Sequence, residues 1–331
     1  MAEGFHLGNI TTSDDSAMQK VIDAQAKAKA LQRENAALRK DRDDLLAEHT
    51  DFINRQRIEP SATKRRRASS KQDKVRVSFG DMHGLGMDRP AVDALLADMK
   101  RLDPDEIIIG GDMLECGGWL AKHQPIGFVA SCGYTYQDDI EATNWFLDEL
   151  AKAAPRATMI YLEGNHEDRV ERWIVDQTMS SKRDGEFLMS FVSPQVRLRL
   201  KERGIEYVRR SDVKVRGLPP GWIKLGKMFY THELSSGKAA AAKAVSITAG
   251  NVTFFHTHQV SSATVVLPAV GVVKGFCPGC LCQSQPLWRH SNPTNWSLGY
   301  NIEIIAKSEN FQHIHVPIWD GESLGCSLLD R

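Results

Sequence analysis

Three short apolar runs in this chain end alike. Residues 75–79 lead into Gly80-Asp81-Met82-His83, residues 106–109 into Gly110-Gly111-Asp112, and residues 158–162 into Gly164-Asn165-His166-Glu167. Each run has the length of a buried strand, and between them lie two stretches with helical apolar spacing, at 89–101 and 139–153. That β-α-β-α-β order predicts an α/β chain whose sheet has parallel neighbours. In such a sheet the carboxyl ends of the strands lie together, and the loops there carry the reacting groups. Asn, His, Glu and Asp gain nothing from burial at a strand end unless each finds a partner.

Past Gly217 the chain reads mostly as strands, at 228–231, 252–255, 264–267, 271–276, 300–306 and 312–318. Two of these end in Thr231-His232 and in Phe255-His256-Thr257-His258. A single Asp after a strand is usually a turn residue or a helix cap. A single His is usually an ordinary hydrogen-bonded group. Five strand ends carrying such residues together are hard to explain in that way. Oxygen and imidazole donors without thiolate suit a divalent metal such as Mn, Fe, Zn or Ni, and the donors are numerous enough for two ions.

The ordered set Asp81-x-His83, Gly111-Asp112, Gly164-Asn165-His166-Glu167, His232 and His256-x-His258 resembles the calcineurin-like metallophosphoesterases, over about residues 74 to 320. The resemblance implies a four-layer α/β/β/α sandwich of two mixed sheets and a pair of divalent metal ions, manganese first, with iron, zinc or nickel as alternatives. It implies that Asp81, His83 and His258 hold one ion, that Asn165, His232 and His256 hold the other, and that Asp112 bridges them. Two such cations clamp the phosphoryl oxygens and acidify a shared water for in-line attack. His166 would stabilise the transition state and protonate the leaving oxygen, with Glu115 fixing its tautomer. Asn165 and Arg169 would meet substrate phosphate. Arg172 either does the same or forms helix-surface pairs with Asp168 or Glu171.

Two features depart from the family pattern. Phe255 stands where the family has Gly before its final His-x-His, so the loop is expected to be shaped differently. The span between Asp112 and Asn165 is long and holds Trp119, His123, Phe128, Tyr134 and Tyr136. It reads as a loop at the mouth of the site that could stack on bases, or as an insertion that buries its own aromatics.

The segment before the catalytic domain (74–331) has a different texture. Residues 1–16 are expected to be disordered. Residues 17–53 read as a helix with Ala17, Ala24, Leu31, Leu38 and Leu45 at heptad d positions and Asn35 at an a position. That pattern predicts a coiled-coil homodimer; the alternative is one amphipathic helix folded onto its own domain. Residues 54–73 read as a basic flexible linker with the run Lys64-Arg65-Arg66-Arg67, which either contacts nucleic-acid phosphates or is simply solvated. Its position after the heptads is the reverse of a bZIP reader.

Lys plus Arg and Asp plus Glu number 42 each, so no global field draws in an acidic partner. No apolar run approaches the roughly 18 residues that span a bilayer, which argues against a membrane partner. The first residues lack a secretory pattern, so a cytoplasmic location is expected. Cys277, Cys280 and Cys282 cluster in CPGCLC. They read either as a turn, where family members carry Asn-Pro-Gly-Ser near the site entrance, or as a zinc half-site without an obvious fourth ligand.

The expected function is hydrolysis of phosphodiester bonds, in nucleic acid. The basic linker, the aromatic span and a helix pairing two sites favour that substrate. A protein or nucleotide phosphomonoesterase is the alternative. An interaction protein with a vestigial catalytic domain is the non-enzymatic one.

Overall fold

The structure, a computed structural model, describes residues 19–20, 23, 25–37, 40, 73–116, 135–179, 181–286 and 293–323. Two compact units are present, Met1–Ala62 and Thr63–Arg331. In the first, residues 25–37 are helical and exposed, Leu31 among them. Leu38 and Leu45, the run Lys64 to Arg67 and the aromatics Trp119, Phe128 and Tyr134 lie outside the described residues.

The second unit opens with β1 (Lys74–Phe79), α1 (Arg89–Leu102), β2 (Glu106–Ile109), α2 (Tyr136–Ala153), β3 (Thr158–Leu162) and α3 (Asn165–Thr178). There follow α4 (Lys182–Val192), α5 (Pro194–Arg197), β4 (Glu206–Val208), β5 (Ile223–Leu225), β6 (Met228–Thr231) and α6 (Ala240–Thr248). The chain closes with β7 (Asn251–Phe254), β8 (Val260–Leu267), β9 (Gly271–Pro278), β10 (Gly299–Ile305), β11 (Phe311–Trp319) and β12 (Glu322–Ser323). Seven strands form one sheet in the order β12-β11-β10-β1-β2-β3-β4, and five form another in the order β5-β6-β7-β9-β8. The β1 to β4 pairs are parallel, as are β6 with β7 and β7 with β9, while the remaining pairs are antiparallel. Both sheets are therefore mixed, and both have parallel strands at their centre.

Local chemistry explains the helix limits. Asp88 caps α1 by accepting from the Ala91 amide at 3.0 Å, Pro90 sits in its first turn, and Ala91, Val92, Leu95 and Met99 form its buried stripe. A capping box between Thr135 and Asp138 starts α2 three residues before the apolar spacing suggested. Tyr136 consequently belongs to the core. It is buried, and its hydroxyl donates to the Val192 carbonyl at 2.8 Å, so it is not an aromatic of the site mouth.

Three apolar clusters give the layering. In the largest, Val77, Phe79, Ile107 and Tyr161 of the first sheet pack with residues of α1, α2 and α3. In another, Ile108, Leu162 and Val208 of the first sheet meet Met228, Tyr230, Phe255 and Phe276 of the second. In the last, Ala241, Ala244 and Val245 of α6 cover Val252, Phe254 and Val273. Helices thus lie on the outer face of each sheet, and the sheets face each other. Among the described residues no helix is long and apolar enough to cross a membrane.

Candidate metal centre

Strands β1, β2 and β3 end side by side in the first sheet, and β6 and β7 end opposite them in the second. The first two loops are bonded together: the Asp81 amide donates to Gly111 O at 2.9 Å and the His83 amide to Asp112 O at 3.0 Å. Gly111 (φ 91°) and Gly164 let the β2 and β3 loops touch, since a Cβ on Gly164 would collide with the Asp112 carboxylate.

Glu167 ties these loops down. Its Oε1 accepts from the Met113 amide (2.9 Å), the Leu114 amide (3.2 Å) and the Tyr161 hydroxyl (2.6 Å). Its Oε2 accepts from the amides of Asp112 and Gly164, both at 3.0 Å. Burial pushes the pKa of Glu167 up, and a buried carboxylate needs just such a ring of donors. The sequence reading gave Glu167 no role, although its place three residues after Gly164 is that of a capping carboxylate.

The candidate donors form two sets about Asp112. In one, Asp81 Oδ1 lies 3.2 Å and His83 Nε2 3.1 Å from His258 Nε2. In the other, His232 Nε2 lies 3.2 Å from Asp112 Oδ2 and 3.0 Å from Asn165 Oδ1, with His256 Nδ1 4.0 Å from Asp112 Oδ2. His166 Nε2 lies 3.8 Å from Asp112 Oδ2, and its amide donates to Asp112 Oδ1 at 2.8 Å. Asp81, His83, Asp112 and His258 are buried, and His256 is about one-third exposed at its side chain. Groups able to hold an ion include Asp112 with His232 and His256, and Asp112 with His83 and His166.

The carboxylates dominate the field. Burial works to lower the pKa of His232, but Asp112 outweighs it and raises the value to about 9. At His83 burial is likewise outweighed, here by Glu115 with help from Asp112 and Asp81, and the value again rises to about 9. At His166 burial prevails and lowers the pKa to about 3. Two buried atoms, Asp81 Oδ1 and His256 Nδ1, have no hydrogen-bond partner among the described residues. A buried, unpaired carboxylate oxygen is costly. A divalent cation at each donor set would satisfy the atom there, and the carboxylate, amide and imidazole donors fit such ions.

The sequence reading set Glu115 against His166; the structure divides that residue's contacts. The Glu115 carboxylate lies 2.6 Å from His83 Nδ1 and 3.5 Å from His166 Nδ1. Its main-chain oxygen lies 2.9 Å from His166 Nδ1. Arg169 points inward, with Nη1 3.0 Å from His166 Nδ1 and 3.2 Å from Glu115 O. Arg172 pairs with Asp168 at 2.9 Å on the helix surface. Cys277, Cys280 and Cys282 are buried free thiols around a turn at Gly279 (φ 91°).

No protein-family model matches the sequence, and no curated protein does. Solved structures do. A single-residue variant of Vps29 from Entamoeba histolytica aligns at 12% identity over 75% of this chain and 95% of its own, with a TM-score of 0.36. A metallophosphoesterase from Sphaerobacter thermophilus aligns at 15% identity over 73% of this chain and 88% of its own, with a TM-score of 0.33. A predicted phosphoesterase from Streptococcus pneumoniae gives 13% identity, 76% and 95% coverage, and a TM-score of 0.26. The functional reading therefore rests on the geometry of the centre.

Proposed function

We propose that this chain is a metal-dependent phosphoesterase of the calcineurin-like type, an α/β/β/α sandwich that takes two divalent ions, manganese first. The observation that carries the reading is the convergence of the five strand-end motifs around Asp112, with Asp81 Oδ1 and His256 Nδ1 buried and without a hydrogen bond among the described residues. Asp81, His83 and His258 would hold one ion, Asn165, His232 and His256 the other, and Asp112 both. Bound there, the ions would neutralise phosphoryl oxygens and acidify water. His166, neutral in the free chain, would act at the leaving oxygen through Nε2, its amide donating to Asp112 Oδ1 and its Nδ1 lying 3.0 Å from Arg169 Nη1 and 2.9 Å from Glu115 O. Arg169 and the Asn165 amide flank the place of the substrate phosphate.

The substrate we favour is a phosphodiester in nucleic acid. The support is in the sequence: the basic run Lys64 to Arg67, the aromatic span after Asp112, and a heptad helix that would join two centres as a homodimer on one polymer. The test compares bis-p-nitrophenyl phosphate, p-nitrophenyl phosphate and labelled DNA, with Mn²⁺ and after chelation. We expect chelation to abolish turnover and the diesters to be cleaved. Monoester turnover without diester or DNA cleavage would sink the substrate class. A chain that binds no divalent metal and turns over nothing would sink the enzyme reading.

A further inference from the structure

The CPGCLC tract packs behind the donor loops. The Leu281 amide donates to Asp81 O at 3.1 Å, the Gln283 amide to Gly86 O at 2.9 Å, and Cys282 bridges to Met87. Cys277 Sγ lies 3.3 Å from Thr257 Oγ1, the residue between His256 and His258. Cys282 Sγ lies 3.7 Å from His258 Nδ1. The tract thus touches both the β1 loop and the His-x-His loop.

Three of the histidines assigned to the ions share an arrangement. His83 has Nδ1 on the Glu115 carboxylate at 2.6 Å, and His232 has Nδ1 on Gly110 O at 2.7 Å. His258 has its Nδ1 on the Cys282 sulfur. A neutral imidazole offers a lone pair at one nitrogen only if the other carries the proton. A partner at Nδ1 therefore selects the form whose Nε2 can hold a cation, and such partners matter nearly as much as the ligands.

His258 is also held by its backbone, whose carbonyl accepts from the Ser297 amide at 2.9 Å, and by the Trp296 ring at 4.1 Å. Neither of these contacts sets its tautomer.

We infer that Cys282 is the positioning residue for His258: its sulfur accepts the Nδ1 proton and turns the Nε2 lone pair toward Asp81 and His83. This rests on the metal reading above. A thiol sulfur is a weak acceptor, so of the three histidines His258 is the one whose orientation is most easily lost. The ion beside Asp81 is then the more readily released of the two.

The test uses the full chain, titrated with Zn²⁺ against a chelating indicator, as wild type, Cys282→Ala and Cys282→Ser. We expect Ala to weaken one of two sites about tenfold, the lower end for loss of such a partner, and to leave the other unchanged. Ser, which restores an acceptor, should lose less. Ring-nitrogen spectra of ¹⁵N-histidine protein free of metal should show one histidine leaving the Nδ1–H form in Ala and returning toward it in Ser. A purely packing role would move the melting temperature but not that spectrum. Unchanged Zn²⁺ affinity and spectrum in Cys282→Ala would overturn the inference while leaving the metal reading intact. A thiolate charge-transfer band in the Co²⁺ form would also overturn it, by making Cys282 a ligand. Wild type that binds no Zn²⁺ would instead overturn the metal reading.

Discussion

Replacing Glu167 by Gln keeps the shape of the side chain and removes its charge and half its acceptors. Five donors converge on the native carboxylate, four amides and one hydroxyl, and none is solvated, because Glu167 is fully buried. The Gln amide must place its NH₂ at one oxygen position. At Oε1 it would face three donors; at Oε2 it would face two, the amides of Asp112 and Gly164. The second orientation wins, and two buried amides lose their acceptor. Each buried, unsatisfied donor costs about 1–3 kcal/mol, so the change should destabilise the fold by about 3 kcal/mol after partial relaxation. For a unit of this size that is a fall of roughly 10 °C in Tm.

Thermal melts in chelator measure the fold alone, and metal content measured separately reports the Asp112 loop. Tyr161→Phe removes only one of the five donors and should cost about 1 kcal/mol. The double variant should cost less than the sum of the two, because the hydroxyl bonds a neutral Gln oxygen more weakly than a carboxylate. A Glu167→Gln protein that melts within about 2 °C of wild type would refute the claim that the carboxylate holds the loops together.

Asp112→Asn should lower metal content at both sites together, since Asp112 is the donor shared by the two sets; a variant retaining two tightly bound ions by elemental analysis would break the assignment. Gly110→Ala should destabilise the fold by several kcal/mol, because its Cβ would collide with the buried Phe255 ring; a melt like wild type would show that Phe255 moves freely. His313 stacks on Phe276 at 3.5 Å, and its Nε2 is buried without a partner among the described residues. Burial, with His315 and Lys274 adding, lowers its pKa to about 3. The unfolded chain therefore takes up the proton first. Stability is complete above the ordinary histidine pKa of about 6.5 and falls by at most about 1.4 kcal/mol per unit as pH drops toward 3. Equilibrium melts of His313→Phe should show a shallower acid slope, and an unchanged slope would assign the loss elsewhere.

The strand ends were legible in the sequence because the signal is local. An apolar run followed by Gly and a carboxylate or imidazole needs no tertiary information, and β2, β3 and β6 match their sequence spans residue for residue. What the sequence hid depends on partners distant in the chain. The tract AAAKAVSIT of α6 shows only a weak helical signal, because its buried face is mostly Ala and its exposed face carries just Lys243 and Ser246 beside Ile247, and it falls in a strand-rich region. Tyr136 looked like a loop aromatic until the Thr135–Asp138 box placed it in a helix. The family resemblance pointed to Glu115, but it cannot say that its carboxylate turns to His83 and its carbonyl to His166. Cys282 carried no signal toward His258 at all, 24 residues away in sequence.

Phe255 shows how backbone conformation resolves an apparent departure. A Gly there would be required only if that position needed a positive φ, and it does not. The left-handed residues are instead the donors themselves: Asp81 (φ 54°), His83 (59°), Asp112 (48°), His256 (71°) and His258 (57°). Such a conformation costs an L residue roughly 1–2 kcal/mol, and Gly would avoid the cost at each position. Gly has no ligand atom. The strain is held in place by the bonds between the Asp81 and Gly111 loops, by the Ser297 amide on His258, and by Glu167 beneath Asp112. The Phe255 ring, lying over Gly80 and Gly110, fills the space in which those loops would otherwise relax. Packing alone gives no reason for five strained residues at adjoining strand ends to be Asp and His. A site that must aim carboxylate and imidazole atoms inward from sharp turns does, because strained backbone concentrates where geometry serves chemistry.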